Sequence, residues 1–152
     1  MQKYNIINIR NNPELLDTAA DYFSSKWPVE RKVYYNSISD SITTKSGVPR
    51  WYLMMDNETI IGSYGLIEND FMVRQDLTPW ICAVYIEEYM RGKSLGSQLL
   101  NHARNEAKNL GFQTLYLCTD HIGYYEKYGW DFFGEEESEF GGLTRVYNKS
   151  LL

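Results

Sequence analysis

Apolar residues recur along this chain with two different periods, and the changes of period divide it into helices and strands. The clearest helical stretch begins at Leu95, where apolar positions return every three or four residues. This stripe comprises Leu95, Leu99, Leu100, Ala103, Ala107 and Leu110. Gly111 follows it and is typical of the left-handed residue that ends a helix. The pattern therefore predicts a long amphipathic helix that ends at Gly111.

The segments before this helix have strand character. Two β-rich runs, residues 51–55 and 59–67, flank a polar turn and predict an antiparallel hairpin. Residues 77–86 are apolar on both faces, which is typical of a strand in the centre of a sheet. Pro79 lies in this run and has no N–H to donate to a β-ladder, so it predicts a strand start or a bulge.

The remaining elements are shorter. We expect a strand at residues 4–9, a helix at 15–27, and a weaker second helix through Val33, Tyr34 and Ile38, followed by a loop at 39–47. After the long helix, the pattern predicts a strand at 112–118, a short helix at 122–128 closed by Gly129, and a final hairpin of 130–133 with 143–147. The predicted order is β-α-α-β-β-β-α-β-α-β-β, which places the chain in the α/β (α+β) class.

Composition narrows the classes of function. A length of 152 residues fits one domain, and 43% hydrophobic residues exclude a disordered chain. The net charge of -5 has the wrong sign for nucleic acid or an anionic membrane, and favours a cationic or amine-bearing partner. Cys82 and Cys118 lack the spacing of a metal site. Neither a signal peptide nor a membrane span is indicated, so we expect a cytoplasmic protein.

The junction between the central strand and the long helix carries the candidate chemistry. Residues 89–97 contain two glycines, a serine and two cationic side chains. Backbone N–H groups at such a helix start lack partners, and the helix dipole is positive there, so the turn suits a phosphate or a pyrophosphate. Glycine and serine also cap helices for structural reasons alone, and this alternative stays open on the segment by itself.

Two nucleotide-binding motifs are excluded by spacing. A P-loop needs a glycine five positions before Gly92, where Glu87 stands. A dinucleotide fingerprint needs a second glycine two residues after Gly92, where Ser94 stands. A nucleoside triphosphate binder is therefore disfavoured.

The same turn resembles a known family. Arg91-Gly92-Lys93-Ser94-Leu95-Gly96 is similar to the pyrophosphate signature (Gln/Arg)-x-x-Gly-x-(Gly/Ala) of the GNAT superfamily of acetyl-coenzyme A dependent N-acetyltransferases. Residues 124–130 resemble its second signature, aromatic-Tyr-x-x-apolar-Gly-aromatic. The resemblance implies one N-acetyltransferase domain over residues 1–152, with a mixed, mostly antiparallel central sheet flanked by helices. It also implies acetyl-coenzyme A as co-substrate and no metal.

The resemblance assigns roles to individual residues. Val84, Tyr85 and Ile86 would offer backbone groups to the pantetheine arm, as if that arm were an added strand. The residues that would surround the pyrophosphate are Arg91, Gly92, Lys93, Ser94, Leu95, Gly96 and Ser97. Ser94 stands where the family has its first signature glycine. Tyr125 would be the general acid that protonates the departing thiolate.

The general base is left open by the sequence. The family often uses a carboxylate of the long strand, but residues 78–82 contain none. Asp76 is the nearest candidate, Asp120 and His121 are others, and deprotonation relayed by water needs no strong base. The acidic run of residues 135–137 with Glu139 is either a solvated hairpin turn or a lining of the acceptor side that attracts cations.

The sequence therefore predicts direct transfer of an acetyl group from acetyl-coenzyme A to a primary amine of a small cationic molecule or a peptide, without a covalent acyl-enzyme. The alternative is a non-catalytic acyl-coenzyme A-binding sensor or interaction module of the same fold. The sequence identifies no particular acceptor, and it leaves a homodimer open.

Overall fold

The computed structural model describes residues 4–152, and within them it forms seven β-strands and three α-helices. The strands are β1 (Asn5–Asn8), β2 (Arg50–Asp56), β3 (Thr59–Ile67), β4 (Trp80–Ile86), β5 (Thr114–Thr119), β6 (Asp131–Glu137) and β7 (Leu143–Ser150). The helices are α1 (Leu16–Lys26), α2 (Arg31–Thr43) and α3 (Leu95–Asn109). Short 3-10 helices span Ile9–Asn11, Pro13–Leu15, Glu88–Met90 and Tyr125–Tyr128.

The strands form a mixed sheet in the order β1-β2-β3-β4-β5-β7-β6. β1 pairs antiparallel with β2, and β7 pairs antiparallel with both β5 and β6. β4 pairs in parallel with β5 through Trp80 opposite Tyr116, and the Tyr116 N–H donates to the Pro79 carbonyl at 3.0 Å. This mixed, mostly antiparallel sheet confirms the predicted fold class, and β4 is the central strand, as the sequence predicts.

The described chain divides into two compact units. The first unit runs to Gly65 and also contains Ala83–Leu100. Its core is aromatic: the Phe23 ring centroid lies 4.8 Å from that of Trp51 and 5.6 Å from that of Tyr34. A glycine is required at position 65, because a Cβ there would lie 2.5 Å from the Trp51 ring. The first unit thus packs α1, α2 and β2 around three rings.

The second unit contains Leu66–Cys82 and Asn101–Leu152. Its core cluster comprises Met72, Leu77, Trp80 and Val146, and Cys118 packs against it. The Trp80 indole N–H donates to the Leu77 carbonyl at 2.7 Å, so this fully buried ring has its polar atom satisfied.

The long helix matches its prediction. Leu95, Leu99, Leu100, Ala103 and Ala107 are all buried. Gly111 has a φ of 96°, the left-handed conformation expected of a residue that ends a helix. Pro79 directly precedes β4, so of the two predicted readings the strand start is correct.

Two predictions about other elements need correction. The predicted loop at 39–47 is wrong in its first half, because α2 continues to Thr43. Ser41 is fully buried there, and its hydroxyl is satisfied by donating to the Ile38 carbonyl at 2.5 Å. The predicted short helix at 122–128 is a single 3-10 turn, Tyr125–Tyr128, closed by Gly129 with a φ of 83°.

Among the residues that the structure describes, no helix is both long and apolar enough to cross a bilayer.

Candidate active site

The turn between β4 and α3 leaves a run of backbone N–H groups without acceptors. Gly92 and Ser94 both have positive φ, 83° and 61°, and the first bond of the helix runs from the Gln98 N–H to the Ser94 carbonyl at 3.2 Å. Across residues 4–152, no carbonyl or side chain accepts from the amides of residues 92–97. The amides of this turn are therefore not saturated by the described chain. Unpaired amides at a helix start are suited to bind an anion, and residues 92–94 of this turn are exposed.

The two cations of the turn are held differently. The Arg91 guanidinium donates to the Ile86 carbonyl at 3.0 Å and lies 5.4 Å from the centre of the Tyr85 ring. Lys93 is exposed, and its ammonium contacts the Met90 sulfur at 3.9 Å, which is a weak interaction. Lys93 can therefore reorient toward a bound anion at little cost. Arg91 would first have to break its hydrogen bond to the Ile86 carbonyl and its contact with the Tyr85 ring.

The second half of β4 carries Val84, Tyr85 and Ile86, and all three are half-buried. Just before them, Ala83 adopts a φ of 52°, which interrupts the regular strand, and its carbonyl accepts from the Ser63 hydroxyl at 3.1 Å. These three residues and the turn belong to the same unit, so the structure brings the predicted cofactor-binding residues together.

Glu87 is fixed by contacts that the sequence did not indicate. It accepts a short hydrogen bond from the Tyr22 hydroxyl and an ion pair from Lys26 at 2.9 Å. Partial burial opposes ionisation, but these two donors prevail and lower the pKa of Glu87, while burial and the carboxylate raise the pKa of Tyr22. The Lys26 ammonium also lies 4.6 Å from the centre of the Tyr85 ring. The C-terminal turn of α1 is thus tied to the end of β4.

Tyr125 lies in the second unit, at the start of the 3-10 turn. Its ring packs near Tyr124, Tyr147 and Trp130, with centroid distances of 4.9, 6.0 and 6.3 Å. Burial, followed by the influence of Tyr124 and Cys118, raises the pKa of Tyr125 to about 12. The residue is half-buried and holds a phenol that stays protonated at neutral pH.

Asp76 is engaged by a strong partner. Its carboxylate accepts two bonds from Arg74, at 2.7 and 2.6 Å, and the same guanidinium pairs with Glu136 at 3.1 Å. The Arg74 contacts lower the pKa of Asp76 to about 2. A carboxylate this acidic is a weak proton acceptor at neutral pH. The other two sequence candidates, Asp120 and His121, are exposed.

The acidic run is part of a strand. Residues 135–137 end β6, and Glu135 lies opposite Arg145 on β7, so the interpretation as a hairpin turn is wrong for these three residues. Glu139 does lie beyond the strand, where its N–H donates to the Phe71 carbonyl at 2.8 Å. Glu135, Glu137 and Glu139 remain exposed.

The structure also shows a half-buried carboxylate that sequence reasoning missed. The Cys118 thiol donates to the Asp70 carboxylate with a sulfur–oxygen distance of 3.3 Å. Burial raises the pKa of Asp70, and burial with the neighbouring charge of Asp70 raises that of Cys118. Forty-eight positions separate the two residues, and no local motif links them. Within residues 4–152, no group of three or more metal-ligating side chains is arranged to hold a metal ion.

Comparison with solved structures places this fold among acetyltransferases. The crystal structure of aminoglycoside 6'-acetyltransferase type Ii is 22% identical, with a TM-score of 0.71 and 97% of each chain covered. An aminoglycoside 6'-N-acetyltransferase complexed with coenzyme A is 18% identical, with a TM-score of 0.72 and 97% of each chain covered. A GNAT family acetyltransferase from Elizabethkingia anophelis with acetyl-CoA bound is 18% identical, with a TM-score of 0.67 and 99% coverage of both chains.

These structural likenesses show the fold, and the family comes from the sequence. A search of curated proteins finds no match. The family model described as "Acetyltransferase (GNAT) family" matches residues 12–130, which is well over half of the chain and includes both signature segments. The chain therefore belongs to the GNAT family of acetyltransferases and is an acyltransferase that uses acetyl-coenzyme A.

Proposed function

We propose that residues 1–152 act as one N-acetyltransferase domain that transfers an acetyl group from acetyl-coenzyme A directly to a primary amine. The observation that carries this proposal is the turn after β4, where the amides of residues 92–97 have no acceptor within the described chain. A pyrophosphate supplies the charge and the acceptor oxygens that such a turn lacks.

Donor binding is assigned to the first unit. The amides from Gly92 to Ser97 bind the pyrophosphate, and Lys93 adds a mobile positive charge. Arg91 adds a second positive charge beside the pyrophosphate, from its position over the Tyr85 ring. The backbone of Val84, Tyr85 and Ile86 binds the pantetheine arm, in the half of β4 that follows the irregular residue Ala83.

Ser94 is compatible with this role. Its φ of 61° is in the left-handed region, which glycine adopts without penalty, so the backbone here has a conformation that suits the glycine of the family's signature. The serine leaves its amide available and adds a hydroxyl donor. The cost is the strain of a left-handed residue, about 1–2 kcal/mol.

The chemistry of transfer is assigned to Tyr125. As the nitrogen attacks the thioester carbon and the carbon–sulfur bond breaks, negative charge develops on sulfur. A phenol with a pKa of about 12 is protonated throughout the working range and can donate its proton to that sulfur. The resulting phenolate is strongly basic and at once regains a proton, which the nitrogen of the tetrahedral intermediate must lose.

The acceptor is proposed to be a cationic molecule or a peptide amine. The chain carries a net charge of -5, and the exposed carboxylates of Glu135, Glu137 and Glu139 lie close together along β6 and the turn after it. Two structural neighbours are described as acting on aminoglycosides, which are polyamines. The charge of this surface and the chemistry of those acceptors agree in sign.

The deciding experiment is calorimetric titration with acetyl-coenzyme A, followed by a thiol-release assay with kanamycin, spermidine and a lysine-containing tripeptide. We expect binding, and turnover with at least one amine. The variant S94D places a negative charge in the turn and should abolish binding. S46D makes the same change at an exposed loop position of the same unit and should not.

Absence of binding at millimolar acetyl-coenzyme A would refute the proposal. Binding without turnover on any amine would instead favour the non-catalytic sensor.

A further inference from the structure

Asp70 is a half-buried carboxylate with no cationic partner among the described residues. The residue is half-buried in the segment between β3 and β4, and its recorded side-chain partner is the Cys118 thiol at 3.3 Å. Among the described residues, no lysine, arginine or histidine forms an ion pair with it. A thiol is a weak donor, so it compensates little of the cost of burying a charge.

Hydrogen bonds of its neighbours fix the backbone around Asp70. Asn69 accepts from the Met72 N–H at 2.7 Å and donates to the Arg74 carbonyl at 2.9 Å. On the other side, the Phe71 carbonyl accepts from the Glu139 N–H at 2.8 Å, and the buried side chain of Met72 anchors the segment in the core. A poorly compensated charge that the surrounding structure enforces is typical of a functional site rather than a structural one.

Asp70 and Tyr125 both lie near the C-terminal end of β5. Asp70 contacts Cys118 there, and the Tyr125 ring lies 6.0 Å from the ring of Tyr147, which pairs with Leu117, the residue before Cys118. The groups that face this cluster are Asp70 from the segment before β4, Asp120 beyond the end of β5 and Tyr125 from the 3-10 turn. Tyr125 is kept protonated by its surroundings, whereas Asp70 is a carboxylate without a cationic partner. Two titratable groups in such different environments can act as an acid and a base.

We propose that Asp70 is the catalytic residue that receives the ammonium group of the acceptor and removes its proton. This inference rests on the proposed function. The ammonium supplies the cation that Asp70 lacks, and transfer of one proton gives a neutral amine and a protonated Asp70. The amine then forms the carbon–nitrogen bond, and the thiolate leaves as the carbon–sulfur bond breaks.

The protons balance over the whole reaction. The nitrogen loses two protons in becoming an amide. The first goes to Asp70 and then to solvent, and the second replaces the proton that Tyr125 gives to sulfur. The products are the amide, free coenzyme A and one released proton.

Asp76 is the rival within the same segment. It is exposed and already holds the Arg74 guanidinium through two bonds, so an incoming ammonium would have to displace a strong partner. Asp70 needs no such displacement. The structure therefore favours Asp70, although the sequence pointed to Asp76.

The test compares three matched substitutions, D70N, D76N and D131N. Asp131 is an exposed residue at the start of β6 with no assigned role, so D131N controls for the loss of one negative charge. The kcat/KM for the fastest amine of the panel above is measured from pH 6 to pH 10 at saturating acetyl-coenzyme A. Acetyl-coenzyme A binding and thermal unfolding are measured on each variant.

For D70N we expect kcat/KM to fall by about 10²- to 10⁴-fold at pH 7, with acetyl-coenzyme A affinity within about twofold of wild type. The loss should shrink as the pH rises and the amine deprotonates by itself. D131N should match the wild type.

A D70N enzyme that retains wild-type kcat/KM would overturn the inference, and so would a loss of kcat/KM confined to D76N. In both cases intact binding of acetyl-coenzyme A would leave the proposed function in place. A loss that is constant across the pH range would also overturn it. Wild-type protein that fails to bind acetyl-coenzyme A would refute the function itself.

Discussion

Gly62 on β3 offers a direct test of the donor site, because it lies against the backbone of β4. A Cβ at this position would be 2.8 Å from the Tyr85 carbonyl oxygen and 2.8 Å from the Cδ1 of Ile86. Ordinary carbon–oxygen contacts lie at about 3.3–3.6 Å. The side chain of Ile86 can rotate away, but the carbonyl belongs to the main chain. In G62A, β4 must therefore move by several tenths of an ångström at the residues proposed to bind pantetheine.

The expected magnitudes follow from this contact. Overpacking costs about 1–3 kcal/mol, and the lower chain entropy of alanine recovers about 0.5–1 kcal/mol. The net loss lies within about 0–2.5 kcal/mol and is centred near 1 kcal/mol, which lowers the melting temperature by roughly 2–4 °C in a chain of this length. Loss of one or two main-chain hydrogen bonds to the coenzyme, each worth about 0.5–1.5 kcal/mol, raises its Kd by about 2- to 150-fold.

Gly65 on the same strand provides the matched control. A Cβ there would meet the Trp51 ring at 2.5 Å, so G65A perturbs the aromatic core of the first unit and not the Tyr85 backbone. Melting followed by circular dichroism should show both variants destabilised. Calorimetry at 20 °C should show weaker acetyl-coenzyme A binding in G62A alone. Equal affinities of G62A and wild type, or equal weakening in both variants, would refute the assignment of Tyr85 to the donor site.

Four further predictions concern single residues. Y125F should lower kcat by about 10²-fold or more, because the departing thiolate loses its proton donor. The Kd for acetyl-coenzyme A should stay within about twofold. Thiol release measures the first and calorimetry the second, and an unchanged kcat would mean that Tyr125 only packs. S94G removes about 1–2 kcal/mol of left-handed strain and costs about 0.5–1 kcal/mol of chain entropy, so urea unfolding should show a gain of up to about 1 kcal/mol, and a loss of stability would contradict the strain. The folded pKa of Asp70 lies above its ordinary value of 3.8, so its charged form opposes folding, and the stability that it contributes is lost as the pH rises. D70N should therefore raise the melting temperature at pH 7 and have no such effect below pH 3.8. Asp76 has the opposite sign, because its folded pKa is about 2: D76N should lower stability slightly at neutral pH, with the difference disappearing as the pH falls from about 4 to 2. Melting curves at several pH values test both, and a D70N variant that melts lower than wild type at pH 7 would contradict the sign.

Much of the fold could be predicted because it rests on local patterns. The apolar stripe of α3, the glycine after it and the two-sided apolar run of β4 each carry their structure in adjacent residues. The end of α2 could not be predicted in this way. Its polar residues indicate a loop, and what keeps them helical is the burial of Ser41 with its hydroxyl bonded to the Ile38 carbonyl.

The candidate site likewise has one part that the sequence predicts and one part that it does not. The turn at Gly92–Ser97 was predictable because its motif is contiguous and its amides are part of every residue. Asp70 was not predictable, because its proposed role follows from its contact with Cys118 of β5 and from the absence of an ion pair to it in the described chain. A carboxylate in a polar loop is ordinary in sequence, and only the tertiary structure shows that it is half-buried against a thiol. Glu87 and its partner Tyr22, 65 positions apart, escaped prediction for the same reason.

The turn of unpaired amides also bears on how such a protein can diverge. Recognition through peptide groups places almost no demand on side-chain identity beyond a few small residues. Replacements can therefore accumulate elsewhere while the donor site persists, which agrees with a shared fold at only 18–22% identity. The acceptor side that we propose works the other way, because it depends on individual carboxylates such as Asp70, and one replacement there changes how an amine is bound. New specificities in this architecture are expected to arise by exchanging acidic residues over an inherited coenzyme site.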